Sequence, residues 1–157
     1  MKRKTLTLLF LRRDDEILLA MKKEGFGAGR WNGVGGKVEE GESIEEALVR
    51  ESQEEITVTP LSHEKVADIR FDEYLKGERT LMHVHVFTAS DWTGEPTETD
   101  EMAPKWFKID DIPYATMWPD DPYWLPLVLQ GKKVSADFQL NEKDDIISHT
   151  IKTVEKL

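Results

Sequence analysis

Residues 36–58 read GKVEEGESIEEALVRESQEEITV and contain the most informative pattern in the chain. Ser43 followed three residues later by Glu46 has the form of a capping box, so a helix is predicted to start near Ile44. From there apolar residues recur at i, i+3 and i+4, which gives the helix one buried face. The preceding residues 25–36 hold six glycines, too many for a regular element. They predict a loop whose backbone approaches another group closely.

Three acidic side chains stand together near the end of this helix. Glu51, Glu54 and Glu55 occupy positions i, i+3 and i+4, so their carboxylates converge on one face. The helix dipole disfavours negative charge there, and each like-charge neighbour costs about 0.2–0.5 kcal/mol. A divalent cation would reverse this penalty, since magnesium binds clustered carboxylates beside substrate phosphates. On the helix alone, a solvated run of charges is an equally good explanation.

Strand-like segments surround the helix. Apolar runs at 5–11 and 17–21 flank a charged segment and predict a β-hairpin. Further strands are predicted at 65–71, 81–88, 106–109, 134–140 and 146–154, with a long polar loop at 91–104. A second helix is predicted at 120–130, with prolines confined to its beginning and a glycine just past its end. The expected fold class is α+β, a mixed sheet sandwiched by helices.

The length and composition of the chain exclude some classes of function. A length of 157 residues predicts a single domain spanning 1–157. Lys and Arg number 21 against 31 Asp and Glu, a net charge of −10 that argues against partners such as duplex nucleic acid or anionic membranes. A small anionic ligand carried by a metal ion remains compatible. The chain has no cysteine, which suits the cytoplasm or another reducing compartment such as the nucleus or mitochondrial matrix. No heptad pattern is present, so a monomer is expected.

The spacing of the acidic motif is long and specific. Gly36, five residues, Glu42, seven residues and the run RESQEE at 50–55 resemble the Nudix box. The resemblance implies the fold of the Nudix hydrolases, an α/β/α sandwich with a mixed β-sheet. It also implies hydrolysis of nucleoside diphosphates linked to another group, with Mg²⁺ as cofactor and Mn²⁺ as an alternative ion. By the same resemblance Glu42 and Arg50 pair to support the loop. The implied metal-binding residues are Gly35, Glu51, Glu54, Glu55 and Glu101, of which the glutamates are the implied catalytic residues.

Two positions depart from the box. Ser52 stands where an apolar residue is usual, and Thr57 stands where the family has a glycine. Glycine would allow the left-handed conformation that commonly ends a helix, whereas a β-branched residue resists it by roughly 1–2 kcal/mol. We therefore expect this helix to end differently.

Segments outside the box extend the resemblance. Residues 22–33, 100–102 and 117–124 resemble Nudix enzymes that hydrolyse oxidised purine nucleoside triphosphates, 8-oxo-dGTP and 2-hydroxy-dATP, to monophosphate and pyrophosphate. Such enzymes sanitise the nucleotide pool and so prevent DNA damage. The implied partner is a small purine nucleoside triphosphate. The implied substrate-binding residues are Thr7, Lys22, Phe26, Asn32, Gly35, Gly36, Lys37, Phe71, Trp118, Asp120 and Asp121.

Physical chemistry gives several of these residues a role. Trp118, with Phe26 and Phe71, could supply an aromatic wall for a purine, since base–aromatic stacking is worth about 1–3 kcal/mol. For the two phenylalanines an ordinary core position is an equally good explanation. Asn32 offers both a donor and an acceptor to one edge of the base.

Asp120 and Asp121 lie close to this aromatic residue in sequence. Two acids beside an apolar ring tend to share one proton, because burial and like charge raise one pKa. By resemblance the pair reads the other base edge, and exchanging its proton lets one pocket accept oxidised guanine or oxidised adenine. The alternative is helix capping by Asp121 before Pro122.

Other functions stay open at this point. A Nudix enzyme for methylated purine triphosphates or dinucleoside polyphosphates has the same box, and a non-catalytic nucleotide-sensing module shares the fold. His83 and His85 share one face of a predicted strand, but no third metal ligand is evident, so core or surface positions are expected for them.

Overall fold

The computed structural model describes residues 1–157 and consists of ten strands and two helices. The strands are β1 (Lys2–Arg13), β2 (Glu16–Lys22), β3 (Trp31–Asn32), β4 (Thr59–Pro60), β5 (Glu64–Leu75), β6 (Glu78–Ala89), β7 (Trp92–Thr93), β8 (Met102–Lys108), β9 (Lys133–Leu140) and β10 (Ile146–Val154). The helices are α1 (Ile44–Ile56) and α2 (Asp121–Leu129), and two short 3₁₀ turns precede α2.

Eight of the strands form one mixed sheet. Its order is β10-β9-β5-β6-β1-β2-β3, and β8 also pairs with β2. Strand β1 runs parallel to β6 and β5 runs parallel to β9, whereas the other pairs are antiparallel. Strands β4 and β7 form a separate small sheet. The predicted hairpin and the mixed sheet are confirmed.

Strand β1 shows why the sheet is buried on both sides. Leu9 and Leu11 pack with Leu48 of α1 in one hydrophobic cluster. The intervening Phe10 packs with Trp124 of α2 in the other cluster. A strand that is covered on both faces is apolar at successive positions rather than at alternate ones. The predicted α/β/α sandwich is therefore confirmed.

Helix α1 begins where the capping box predicted. The Ser43 hydroxyl accepts the backbone N–H of Glu46 at 3.0 Å, and the Glu46 carboxylate accepts the backbone N–H of Ser43 at 3.0 Å. These two bonds satisfy donors that the first helical turn leaves free.

The end of α1 contradicts the expectation drawn from Thr57. This residue adopts the left-handed conformation, with φ +62°, although it is not a glycine. Its backbone N–H donates to the Gln53 carbonyl at 3.1 Å, and the next N–H, of Val58, donates to the Ser52 carbonyl at 3.3 Å. Its hydroxyl also donates to the Glu95 carbonyl at 3.1 Å. These hydrogen bonds offset the steric cost of the β-branched side chain.

Two other expectations need correction. Pro126 lies inside α2, so the prolines of this helix are not confined to its beginning. The strands predicted at 65–71 and 81–88 are longer and form a hairpin, because Lys76 and Gly77 both take positive φ and make a tight two-residue turn. As a result, β5 continues past residue 71 and carries Glu73 within the sheet. Neither helix has the length and apolar composition needed to cross a lipid bilayer.

Candidate active site

The last turns of α1 present their carboxylates to the glycine-rich loop. Glu55 is only 4% exposed, and its Oε1 accepts the backbone N–H of Gly35 at 2.7 Å. Burial raises the pKa of Glu55 to about 8, and repulsion from Glu51 and Glu101 adds to the rise, while the Gly35 bond opposes it. The structure thus brings acidic side chains close together, at the cost of a raised pKa for Glu55.

Arg50 orders the acids around it. Its guanidinium donates to both carboxylate oxygens of Glu42, at 2.6 and 3.0 Å. Its Nη1 donates to Glu51 at 3.0 Å and to Glu54 at 3.2 Å, and its Nη2 donates to the Lys37 carbonyl at 3.0 Å. Such bidentate bonds impose geometry as well as attraction. The Glu42–Arg50 pair predicted by resemblance is present.

Gly35 and Gly36 allow the loop to lie against its neighbours. A Cβ at residue 35 would overlap the Thr7 carbonyl oxygen, and one at residue 36 would lie 2.5 Å from Oε1 of Glu51. The Thr7 N–H in turn donates to the Gly36 carbonyl at 2.9 Å. Only residues without side chains can hold this backbone between β1 and the glutamate face.

A cavity of about 190 Å³ opens beside this loop. Every predicted substrate-binding residue except Lys37 lines it. The predicted residues that line it are Thr7, Lys22, Phe26, Asn32, Gly35, Gly36, Phe71, Trp118, Asp120 and Asp121. Lys37 is exposed and contributes its carbonyl to Arg50 instead. It does not line this cavity, and its role in substrate binding stays a prediction.

Unsatisfied polar atoms concentrate in this cavity. Three side-chain atoms that are themselves completely buried have no hydrogen-bond partner, namely Thr7 Oγ1, Arg30 Nη1 and Asp121 Oδ2. All three belong to residues that line the cavity. Since buried polar groups are otherwise almost always paired, these atoms indicate a place where a polar ligand completes the bonding.

Aromatic rings form one wall. The rings of Phe26 and Trp118 lie 4.8 Å apart, and the Arg30 guanidinium lies 4.1 Å from the Trp118 ring centroid. Phe26 is 37% exposed, so its alternative as a core residue is wrong. Phe71 lines the cavity and also stacks on Phe138 at 5.5 Å, so it serves both the wall and the core.

The aspartate pair is deeply buried at the start of α2. Asp120 is 4% and Asp121 2% exposed, and Asp120 accepts the indole N–H of Trp124 at 2.8 Å. Burial raises the pKa of Asp120 to about 6. Burial and the neighbouring Asp120 carboxylate raise the pKa of Asp121 well above its usual range. The capping alternative is wrong, because α2 already includes Asp121 and has no side-chain cap.

Comparisons with known proteins agree with this geometry. The NUDIX domain profile matches residues 1–128. The chain belongs to the Nudix family. An oxidized purine nucleoside triphosphate hydrolase of Mus musculus is 47% identical over 149 residues, covering 95% of this chain and 94% of the mouse protein. The protein of the same name from Danio rerio is 48% identical over 154 residues, covering 98% of this chain and 97% of the fish protein.

A solved structure supports the Nudix fold independently. The MutT protein of Bacillus halodurans aligns with a TM-score of 0.83 at 24% identity, covering 95% of this chain and 97% of that protein. At this identity the likeness concerns the fold. The family, the sandwich fold and the status of the chain as a Nudix hydrolase, all predicted from the sequence, are confirmed.

The same cavity is also lined by residues that were not predicted from the sequence. Arg30, Glu73, Met82 and Trp124 all line it. Glu73 could have been found by extending the alternation of β5, because it follows Ile69 and Phe71 at every second residue. Its acidic side chain on an otherwise apolar face was the available signal.

The histidines of β6 do have an acidic neighbour. His83, His85 and Asp68 place one potential ligand atom each within 4.8 Å of one another, so the expectation that no third group is present is wrong. However, Lys65 Nζ lies 2.8 Å from His85 Nδ1 and 2.9 Å from Asp68 Oδ2. Arg70 donates to the other Asp68 oxygen at 2.6 Å. These two cations already neutralise the cluster, which makes it a salt-bridge network within the sheet.

Proposed function

We propose that this Nudix hydrolase cleaves oxidised purine nucleoside triphosphates, such as 8-oxo-dGTP and 2-hydroxy-dATP, to monophosphate and pyrophosphate. It would thereby sanitise the nucleotide pool. The observation that carries the proposal is the concentration of buried, unpartnered polar atoms in one cavity beside the α1 carboxylates. The names of the mouse and zebrafish relatives support this substrate class.

The base end of the substrate suits the inner cavity. Trp118 offers a flat apolar face to the purine, with the Arg30 guanidinium on that ring. Asn32 lies on the lining and can both donate to and accept from one edge of the base. The buried Asp120–Asp121 pair faces the other edge, where a protonated acid donates and an ionised acid accepts. Moving one proton within the pair lets the same pocket take either oxidised purine.

The triphosphate end suits the glutamate face. Carboxylate oxygens are the ligands that hard divalent cations take, and Glu51, Glu54 and Glu55 converge beside the loop. The Gly35 carbonyl accepts no backbone hydrogen bond and is free to bind a cation. These groups, with Glu101, would hold Mg²⁺ or Mn²⁺. When bound, the cation neutralises charge on the phosphates and lowers the pKa of a bound water.

The protein's own residues then position the reactants. Lys22 lines the cavity and acts electrostatically on Glu55, so its ammonium lies where it can bind a phosphate oxygen. Arg50 fixes the orientation of Glu51 and Glu54 through hydrogen bonds. The glutamate face thus orients water for in-line attack on the phosphate chain, while the buried base anchors the substrate.

We extend the proposal to the whole chain. Residues 1–157 would act as one Nudix domain, since β9 and β10, which follow residue 128, complete the main sheet by pairing next to β5. A monomer is proposed because the sequence shows no heptad pattern. The cytoplasm, or another reducing compartment such as the nucleus or mitochondrial matrix, is consistent with a chain that has no cysteine. Light scattering coupled to gel filtration tests the monomer, and fractionation tests the compartment.

The reaction is tested by its products. Purified protein and Mg²⁺ are incubated with 8-oxo-dGTP, and nucleotide and phosphate products are separated by ion-exchange chromatography. We expect 8-oxo-dGMP and pyrophosphate in equal amounts. Release of inorganic phosphate with 8-oxo-dGDP contradicts the proposed cleavage position. Turnover confined to methylated purine triphosphates or dinucleoside polyphosphates identifies the alternative enzymes, and binding without turnover identifies a sensing module.

A further inference from the structure

Glu73 is a buried acid on the wall of the base cavity. It belongs to β5, is 4% exposed and lines the same cavity as Asp120 and Trp118. Alternation along the strand places it on the face of Ile69 and Phe71, toward α2 and the ligand space. Its side chain is therefore buried in the protein but open to the cavity.

The Glu73 carboxyl is repelled by neighbouring acids, and no hydrogen bond from the protein offsets this repulsion. Burial raises the pKa of Glu73 to about 7, and the carboxylates of Asp120 and Asp144 raise it further. No protein group donates a hydrogen bond that would lower this pKa. A buried carboxyl without a partner is costly, so a group that supplies a donor in the bound state has a free-energy advantage at this position.

The cavity thus carries acids on two walls. Asp120 and Asp121 stand at the start of α2, and Glu73 stands on the sheet. Arg30, a cation on the lining, lies over the Trp118 ring and makes a 3.8 Å ion pair with Asp144. An acceptor on each of two walls matches a base group that has two hydrogens, and among purine substituents that group is an exocyclic amino group.

We propose that Glu73 is a specificity-determining residue, whose carboxylate accepts a hydrogen bond from the exocyclic amino group of the bound purine while the Asp120–Asp121 pair accepts the other. This inference rests on the proposed function and deepens it. Glu73 contacts the base only and leaves the glutamate face of α1 unchanged. It therefore acts on KM rather than on kcat.

The test compares two triphosphates that differ by this amino group, 8-oxo-dGTP and 8-oxo-dITP. Glu73→Leu removes the acceptor, and we expect it to raise KM for 8-oxo-dGTP by about tenfold or more with little change for 8-oxo-dITP. Glu73→Gln keeps one acceptor oxygen, so its KM for 8-oxo-dGTP is expected to lie between those of the wild type and Glu73→Leu. Asp72→Asn is the matched control, because Asp72 neighbours Glu73 on the strand but pairs at the surface with Arg79 at 2.6 Å.

Thermal stability separates recognition from a structural role. Replacing an unpaired buried carboxyl by Leu removes a desolvation cost, so Tm should rise while KM for 8-oxo-dGTP also rises. Unchanged KM in both Glu73 variants, with the wild type selective for oxidised purines, overturns this inference and leaves the proposed function standing. An equal rise in KM for 8-oxo-dGTP and 8-oxo-dITP also overturns it. If the wild type does not prefer 8-oxo-dGTP to dGTP, the proposed function itself fails.

Discussion

The backbone N–H of Gly35 donates a 2.7 Å hydrogen bond to Oε1 of Glu55. This bond joins the glycine-rich loop that lines the base cavity to the last turns of α1, where the glutamates converge. The two parts of the site are therefore held in one rigid relation, a condition for in-line attack on a substrate anchored by its base.

Glu55→Gln should lower kcat by about 10²–10⁴-fold while leaving the fold intact. The amide keeps the size of the side chain and one acceptor for Gly35, but it cannot ionise. Steady-state pyrophosphate release measures activity, and circular dichroism checks the fold. Glu45→Gln is the control, since Glu45 is exposed in the first turn of the same helix. Near-wild-type turnover of Glu55→Gln would remove the assignment of this glutamate to the catalytic face.

Gly35→Ala should destabilise the protein and lower activity together. The new Cβ overlaps the Thr7 carbonyl, so either β1 or the loop must move. Overpacking of this kind costs about 1–3 kcal/mol or more. Urea unfolding measures the loss, and an unfolding free energy equal to that of the wild type would contradict the close packing described here.

Asp120→Ala should raise KM for oxidised purine triphosphates by about 10–100-fold, since hydrogen bonds to charged groups are worth about 1.5–3 kcal/mol. Metal binding should be unchanged, because Asp120 lies at the base end of the cavity. The substitution also leaves the Trp124 indole N–H without its partner, so stability should fall. Asp120→Asn retains an acceptor for that N–H and separates the two effects. Titration calorimetry with Mg²⁺ and KM measurements test both. An unchanged KM for all purines counts against this pocket.

The pH dependence of stability should change in Glu73→Gln. The folded pKa of Glu73 is raised from 4.5 to about 7, so the folded state binds this proton more tightly than the unfolded state. Stability from this group is present at low pH and falls as pH rises from about 4 to 7, by on the order of 3 kcal/mol. Gln does not ionise, so the stability of the variant lacks this pH-dependent contribution. Urea melts should therefore show similar stabilities at pH 5 and a more stable variant at pH 8. Parallel pH curves would contradict the buried, unpaired carboxyl.

Local sequence chemistry was sufficient for much of the fold. The Ser43–Glu46 capping box located the start of α1, since both of its hydrogen bonds lie within one turn. Its end was not predictable from local sequence in the same way. The Thr57 hydroxyl donates to Glu95, which lies 38 residues further along the chain, and local propensity contains no such contact.

The residues of the site were predictable where they belong to a recognisable sequence motif. The box spacing located the glutamates, and the segments around Asn32 and Trp118 located most of the cavity. Glu73 and Arg30 were missed because their positions depend on tertiary structure. Glu73 enters the cavity through the extension of the β5–β6 hairpin, and Arg30 through its placement over the Trp118 ring. A single residue on a strand or loop does not reveal which ligand space it faces.

The proposed reaction is best tested by kcat/KM for pyrophosphate release from 8-oxo-dGTP, 2-hydroxy-dATP, dGTP and dATP, measured with Mg²⁺ and after chelation by EDTA. We expect turnover that requires the divalent cation and that favours each oxidised purine over its normal counterpart by about tenfold or more, the value of one good hydrogen bond at the base. Equal efficiency on oxidised and normal purines, or full activity in EDTA, would contradict it.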